Sequence, residues 1–256
     1  MFNLENFDIK LSTEFIGRNF IYTEEIESTN SFLLGKSVKG INGTVLLAEK
    51  QTRGRGRKDR VWYSAKGQNL TFSILITEKK YLTEKINMLN FISSLSVAQA
   101  IENLFQLRTE LKWPNDILIN GKKTAGILLE SSSQGSKIEK LVIGIGINVN
   151  QGLFQGNFNS EPTSLKLELN HSIDRERLLA EVLNIFEENY LEIPNNSKQL
   201  LDDWRERCRM IGEKISVTDS ETTRYGIFDD IDENGFLLLK NKNTIEKIHF
   251  GDVSIS

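Results

Sequence analysis

The sequence predicts an α+β fold in which a large mixed-sheet domain is followed by a small β-barrel or sandwich. The chain has 256 residues, of which 39% are hydrophobic, so it can bury one substantial core and leave room for a minor domain. Strand patterns surround a long helical pattern up to residue 211, whereas only short strand patterns follow it. We therefore expect one domain over residues 1–211 and a five-stranded domain over residues 212–256.

The periodicity of the apolar residues predicts the order of elements in the larger domain. After a polar leader, strands are expected over residues 19–27, 44–49, 69–76, 107–114, 115–121, 122–133 and 140–150. N-cap chemistry and helical spacing predict helices over residues 28–34, 85–107, 174–190 and 198–209. Residues 152–172 are expected to form a loop, and Asn120 with Gly121 predicts a hairpin turn.

The composition argues against several classes of protein. The formal net charge is -3, from 32 Lys and Arg against 35 Asp and Glu, which disfavours a chain that chiefly binds a polyanion. The longest apolar run, residues 141–149, is too short to span a bilayer, and the first residues lack the pattern of a signal peptide. The single cysteine, Cys208, cannot form an internal disulfide, so we expect a cytoplasmic protein that does not associate with membranes.

Residues 51–64, QTRGRGRKDRVWYS, form a basic loop between two predicted strands. Gly54 and Gly56 alternate with arginines, so the backbone can fold tightly and direct several guanidinium groups at one anion. Trp62 adds a flat face on which a purine can stack. Neighbouring arginines repel one another without an anion, so we expect the empty loop to be mobile and the occupied loop to be ordered. A solvated surface run is the alternative for the basic residues taken alone.

A second unusual stretch, KWPND at residues 112–116, precedes KKTAGILLE at residues 122–130. Taken alone, it can be a hairpin turn whose lysines face solvent. Together with the basic loop, ESTN at 27–30, EKQT at 49–52 and GIGIN at 144–148, it resembles the biotin protein ligases of bacteria. The resemblance runs from about Ile21 to the carboxyl end. It implies a mixed-sheet catalytic domain of the biotin/lipoate ligase type with a small C-terminal SH3-like β-barrel.

The resemblance implies a two-step reaction with biotin and ATP as substrates. The biotin carboxylate attacks the α-phosphorus of ATP to give biotinyl-5'-adenylate and pyrophosphate, and a lysine of an apo biotin carboxyl carrier protein then takes the biotinyl group. Like unit charges about 4 Å apart repel by about 4 kcal/mol at an effective dielectric of about 20. A fixed cation between carboxylate and phosphate removes that obstacle, and by similarity it is Lys123, whereas Lys122 is expected to face solvent.

The remaining site residues are also implied by similarity to the family. The residues expected to line biotin are Ser28, Thr29, Asn30, Gln51, Arg55, Gly56, Arg57, Lys123 and Gly126. Those expected near ATP are Arg60, Trp62, Asn115 and Asn148. Arg57 is expected to balance phosphate charge as a catalytic residue beside Lys123. Asp116 is expected to orient the incoming lysine amine, because an aspartate of ordinary pKa is a weak base.

No resident metal is expected, and Mg²⁺ should arrive with ATP, because no cluster of carboxylates at metal spacing is visible. His171 and His249 lie in unremarkable contexts, which disfavours a zinc site or a histidine base. Cys208 lies on an amphipathic helical pattern, so we expect it to pack rather than to act as a nucleophile.

Two departures from the family pattern affect the expected function. Asp59 stands where the loop usually has a glycine, so closure of the loop is expected to be slower or differently shaped. Many relatives have a DNA-binding domain before the catalytic domain, and the segment before Ile21 is too short for one, so we expect no operator binding.

Two alternatives to a biotin ligase remain at this stage. One is a lipoate or octanoate ligase on a related fold, against which stand the double Gly-Arg loop and KWPND together. The other is a nucleic-acid-binding module, which the many carboxylates of residues 212–256 disfavour. Exposed sheet edges in the family serve self-association or carrier binding, so a homodimer stays an open alternative.

Overall fold

The structure is a computed structural model that describes residues 2–58, 60–83, 86–135, 137–156, 158–219, 222–242 and 244–255. Asp59, whose effect on the basic loop was considered above, lies outside the described residues. The helices are α1 Leu4–Lys10, α2 Thr29–Leu34, α3 Lys79–Thr83, α4 Ile86–Phe105, α5 Leu165–Leu169 and α6 Arg175–Arg207. The strands are β1 Phe20–Thr23, β2 Val45–Ala48, β3 Leu70–Ile76, β4 Glu110–Lys112, β5 Asp116–Ile119, β6 Lys122–Gln134, β7 Lys137–Ile147, β8 Lys214–Thr218, β9 Thr223–Ile231, β10 Leu237–Asn241, β11 Thr244–Ile248 and β12 Asp252–Ile255.

Within the described chain, seven strands form one mixed sheet in the order β1-β2-β3-β7-β6-β5-β4. β1 and β2 are parallel, and the other neighbours in this sheet are antiparallel. One face carries Leu47, Ile74 and Ile143 into the main core, against which α4 and α6 pack. The other face is covered by α2, where Leu33 packs with Val142 and its neighbours. Side chains alternate along a strand, so Gly144 and Gly146 share the α2 face with Val142.

A separate antiparallel sheet of five described strands follows, in the order β11-β10-β9-β8-β12. Its core includes Val217, Phe228 and Leu237, each at most 2% exposed. The expected α+β fold is therefore confirmed. The exact domain boundary at residue 211 stays a prediction. The two parts touch where the indole N–H of Trp113 donates to the carbonyl of Gly235 over 3.2 Å.

Three sequence-based expectations for the elements are wrong or incomplete. The polar leader contains α1, which Asn3 caps by accepting a hydrogen bond from the Asn6 N–H and which buries Phe7. The expected loop over residues 152–172 contains α5, capped in the same way by Ser164. The expected helices over 174–190 and 198–209 are one element, α6, with a kink at Asn196 where φ is −128°. Two of these helices have seven residues or fewer, so periodicity had too few positions to reveal them.

A buried ion pair joins β2 to the start of α6. Arg175 donates to both carboxylate oxygens of Glu49, over 2.6 Å and 3.0 Å. The two side chains are only 7% and 3% exposed. Glu49 also accepts hydrogen bonds from the backbone N–H of Phe2 and from the hydroxyl of Tyr22. The pair therefore fixes the amino-terminal segment and α6 to the strand that leads into the basic loop.

Candidate active site

A cavity of about 460 Å³ opens on the α2 face of the large sheet. Its walls come from the start of α2, the basic loop, the β4–β5–β6 hairpins, the glycine-rich end of β7 and the first residues of β12. All the site residues expected from the sequence line this one cavity: Ser28, Thr29, Asn30, Gln51, Arg55, Gly56, Arg57, Arg60, Trp62, Asn115, Asp116, Lys123, Gly126 and Asn148. The structure thus brings together residues that are up to 120 positions apart in the sequence.

The start of α2 forms the polar end of the cavity. Ser28 caps the helix by accepting a hydrogen bond from the N–H of Ser31, as the sequence predicted. The side-chain oxygen of Gln51 accepts from both the backbone N–H and the hydroxyl of Thr29, over 2.7 Å and 3.0 Å. Ser28, Thr29 and Asn30 are each at most 4% exposed. Short buried donors and acceptors of this kind can replace the hydrogen bonds to water that a polar ring loses when it enters the cavity.

Glycines at the end of β7 give the cavity its depth. A side chain at Gly146 would collide with the indole ring of Trp62, and one at Gly144 would approach the Asn30 amide to 2.5 Å. Gly126 on β6 lies between Trp62 and Lys123 in the same way, with 3.2 Å from its missing Cβ to the Lys123 Nζ. The N–H of the Trp62 indole is buried and has no hydrogen-bond partner among the described residues. The Trp62 ring therefore lies directly against the glycine-rich end of β7 and lines the cavity with an aromatic face.

Lys123 projects into the cavity from the start of β6. Its ammonium donates to the Asp116 carboxylate over 2.6 Å and lies 5.8 Å from the centre of the Trp62 ring. The hairpin turn that sets this register is the predicted one, since Asn120 and Gly121 have φ of 52° and 74°. Lys122, one residue earlier, points away from the cavity and pairs with Glu161. Alternation along β6 thus directs one lysine to the cavity and the other to the surface.

The basic loop folds back on itself at the cavity mouth. The N–H of Gly56 donates to the carbonyl of Arg60 over 2.6 Å, and the N–H of Trp62 donates to that of Gly54 over 3.0 Å. Arg57 donates to the Asn115 side chain and to the carbonyl of Gly251. Burial lowers the pKa of Arg57, although the Asp252 and Asp116 carboxylates oppose the shift. An arginine remains charged even so, which leaves a partly dehydrated cation beside the cavity.

The cations of the basic loop have carboxylate partners within the protein. Arg55 pairs with Glu130, and Arg57, Lys58 and Arg60 all lie next to Asp252. The expectation of a mobile empty loop rests on repulsion between neighbouring cations, and these carboxylates lie close enough to offset part of that repulsion. Whether the empty loop moves stays a prediction.

Neither histidine nor the cysteine belongs to the cavity. His171 is exposed, and His249 packs against Phe236 with ring centres 4.2 Å apart. Cys208 is 6% exposed, and burial raises the pKa of its thiol to about 12. Within the described ranges, no group of three or more His, Cys, Asp or Glu side chains could hold a metal ion.

Two family models match the chain over its two parts. The model of the biotin/lipoate A/B protein ligase family matches residues 22–148, and that of the biotin protein ligase C-terminal domain matches residues 210–256. The bifunctional ligase/repressor BirA of Bacillus subtilis is 35% identical over 96% of this chain and 76% of its own length. The chain belongs to the biotin protein ligases.

Other biotin protein ligases are similar to this chain over most of its length. The biotin--[acetyl-CoA-carboxylase] ligase of Mycobacterium tuberculosis is 33% identical over 88% of this chain and 85% of its own length. The crystal structure of the biotin protein ligase from Aquifex aeolicus in complex with biotin and ATP superimposes with a TM-score of 0.82. It is 31% identical, and the match covers 93% of this chain and 99% of that one. The expected family and enzyme class are therefore confirmed, and these relatives support a biotin ligase over a lipoate ligase.

Among the helices of the described residues, none combines the length and the apolar composition that a membrane span requires.

Asp252, on β12 of this biotin protein ligase, is a cavity residue that the sequence reasoning missed. Its carboxylate is close to Arg57 at 3.7 Å and Lys58 at 3.3 Å, and it accepts a hydrogen bond from Arg60, which lies 192 positions away. Burial opposes ionisation of Asp252, but the three cations outweigh it, so its pKa lies below the usual range. A single aspartate after a glycine is not a recognisable motif, so the sequence alone does not distinguish Asp252 from other surface aspartates.

Replacing Asp252 by alanine should detach the basic loop from the C-terminal domain. One carboxylate balances three loop cations. We therefore expect trypsin to cleave the basic loop, after Arg55, Arg57, Lys58 or Arg60, several-fold faster in the Asp252→Ala enzyme without substrates. The measurement is the rate of loop cleavage followed by mass spectrometry. Asp229→Ala is the matched control, since Asp229 pairs with Lys240 in the same domain. Equal cleavage rates in the two variants would show that Asp252 does not hold the loop.

Proposed function

We propose that this cavity makes biotinyl-5'-adenylate and then transfers biotin to a lysine of a biotin carboxyl carrier protein. The observation that carries the proposal is the position of the Lys123 ammonium, inside the cavity among Asp116, Gly126 and Trp62. Biotin would place its ureido ring at the polar end formed by Ser28, Thr29 and Gln51. Its carboxylate would then lie toward Lys123.

In the first step, a carboxylate oxygen of biotin attacks the α-phosphorus of ATP, and pyrophosphate leaves with the electrons of the broken P–O bond. Lys123 and Arg57 would balance the negative charge that collects around the phosphorus. Trp62 would stack on the adenine, and Asn115 and Asn148 would hydrogen-bond to the nucleotide. Arg60 would contact the outer phosphates once its contact with Asp252 opens.

In the second step, the amine of the acceptor lysine attacks the carbonyl carbon of the adenylate, and AMP leaves as an amide bond forms. Asp116 would orient this amine, because it lies next to Lys123 and therefore next to the mixed anhydride. The amine must lose one proton to attack and a second after attack. Solvent can take both, so Asp116 does not have to act as a strong base.

Magnesium would enter as the complex with ATP and keep mainly phosphate and water ligands. The acceptor would be the apo carrier domain of a biotin-dependent carboxylase, and the ligase itself would act in the cytoplasm. Self-association through a sheet edge would be compatible with the site at β1, the outer strand of the large sheet that contributes no residue to the cavity lining.

A single assay separates this function from its closest alternative. The protein is mixed with ATP and Mg²⁺ and either biotin or lipoate, and pyrophosphate release is measured. We expect release with biotin and at least about a hundredfold less with lipoate, because a site built to hydrogen-bond a urea discriminates strongly against a ligand that lacks one. Equal release with lipoate would exclude the proposed specificity, and no release with either acid would exclude the adenylation step.

A further inference from the structure

Both ends of the Asn30 amide have hydrogen-bond partners within the protein. Its amide nitrogen donates to the carbonyl of Leu128 over 3.2 Å and to the carboxylate of Glu130 over 2.8 Å. Its amide oxygen accepts from the hydroxyl of Ser73 over 2.6 Å. Two of these partners, the carbonyl and the carboxylate, can only accept, so the orientation of the amide is determined. Asn30 is therefore a fixed part of the cavity wall.

The same Glu130 carboxylate also holds the basic loop. Arg55 donates to both of its oxygens, over 2.9 Å and 3.0 Å. Glu130 lies on β6 behind the cavity wall and is not among the side chains that line the cavity. One carboxylate thus links the cavity wall beside α2 to Arg55 of the basic loop.

We propose that Glu130 is a positioning residue for biotin, because its carboxylate fixes the Asn30 amide and anchors the Arg55 end of the basic loop. This inference rests on the proposed function. Without the carboxylate, the Asn30 amide, which packs directly against Gly144, loses its charged partner and is no longer held in one orientation. Arg55 is then free to leave the mouth of the cavity. Both changes occur on the α2 side of the cavity, whereas the nucleotide side chains Asn115 and Asn148 come from the β4–β5 turn and the end of β7.

The test is steady-state kinetics of pyrophosphate release by Glu130→Ala. We expect the KM for biotin to rise about tenfold, because the fixed geometry at the biotin end is lost. The KM for ATP should change by less than about twofold, and kcat should change much less than the KM for biotin. A variant Glu130→Gln keeps one acceptor oxygen and should show an intermediate KM for biotin. The double variant Glu130→Ala/Arg55→Ala should raise the KM for biotin by less than the product of the two single-variant increases, since the two side chains act as a pair.

Glu102→Ala is the matched control, because Glu102 also accepts from an arginine, Arg207, over 2.8 Å and lies outside the cavity. The two carboxylates are similarly exposed, at 25% and 28%. We expect Glu102→Ala to leave both KM values unchanged. An unchanged KM for biotin in Glu130→Ala, or equal rises in both KM values, would overturn the positioning role while the wild-type activity still supports the proposed function. Absence of biotin-dependent activity in the wild type would instead contradict the proposed function.

Discussion

Lys123→Ala should form biotinyl-5'-adenylate about a thousandfold more slowly than the wild type. Two like charges near 4 Å repel by about 4 kcal/mol at an effective dielectric of about 20. Each 1.36 kcal/mol added to the barrier lowers a rate about tenfold, so loss of the bridging cation corresponds to about three orders of magnitude. The measurement is single-turnover pyrophosphate release with saturating biotin and ATP.

The adjacent lysine offers a control for this prediction. Lys122 precedes Lys123 on β6 but pairs with Glu161 outside the cavity. Lys122→Ala should therefore keep the wild-type rate, while both variants should keep the wild-type circular dichroism spectrum. If Lys123→Ala still forms adenylate at a rate near that of the wild type, the ammonium is not the group that overcomes the repulsion. Loss of activity in Lys122→Ala alone would contradict the assignment equally.

The sequence predicted those parts of the fold and site whose causes are local. The N-cap at Ser28 and the turn at Asn120 and Gly121 depend on side chains and backbone angles within a few residues, so each carries its own signal. Apolar periodicity likewise predicted the long helix α4, which is buried on nearly all sides between the sheet and α6. The candidate site residues lie in short motifs, and all of them meet at one cavity.

The sequence could not predict partners that meet only in three dimensions. Asp252 and Glu130 are ordinary charged residues, and each becomes important because a loop arginine folds against it. Ser73 is one of several serines on an apolar strand pattern, yet its hydroxyl is fully buried and contacts Thr29 and Asn30. Their roles depend on the order of strands in the sheet, and single-sequence periodicity carries no information on that order.

Arg175→Met should lower the free energy of unfolding by about 3–5 kcal/mol, because it leaves the Glu49 carboxylate buried without its charged partner. The same substitution at Arg177, which is exposed two residues later on α6, should change stability by less than about 0.5 kcal/mol. The measurement is urea denaturation of both variants and the wild type at pH 7. Equal midpoints for Arg175→Met and Arg177→Met would show that the buried pair does not stabilise the fold.

The stabilising effect of Glu49 should also depend on pH in a defined direction. Burial opposes ionisation of Glu49, but the hydrogen bonds and charge of Arg175 outweigh it, so its pKa is lower in the folded protein than in the unfolded chain. A lowered carboxyl pKa stabilises the fold above the unfolded value of about 4.3, and this contribution is lost as the pH falls through the folded pKa. Glu49→Gln should therefore be less stable than the wild type at pH 7, and the difference should shrink below about pH 4. β2 leads directly to Gln51, so loss of the Glu49–Arg175 ion pair should also raise the KM for biotin. A destabilisation remote from the cavity would leave that KM unchanged.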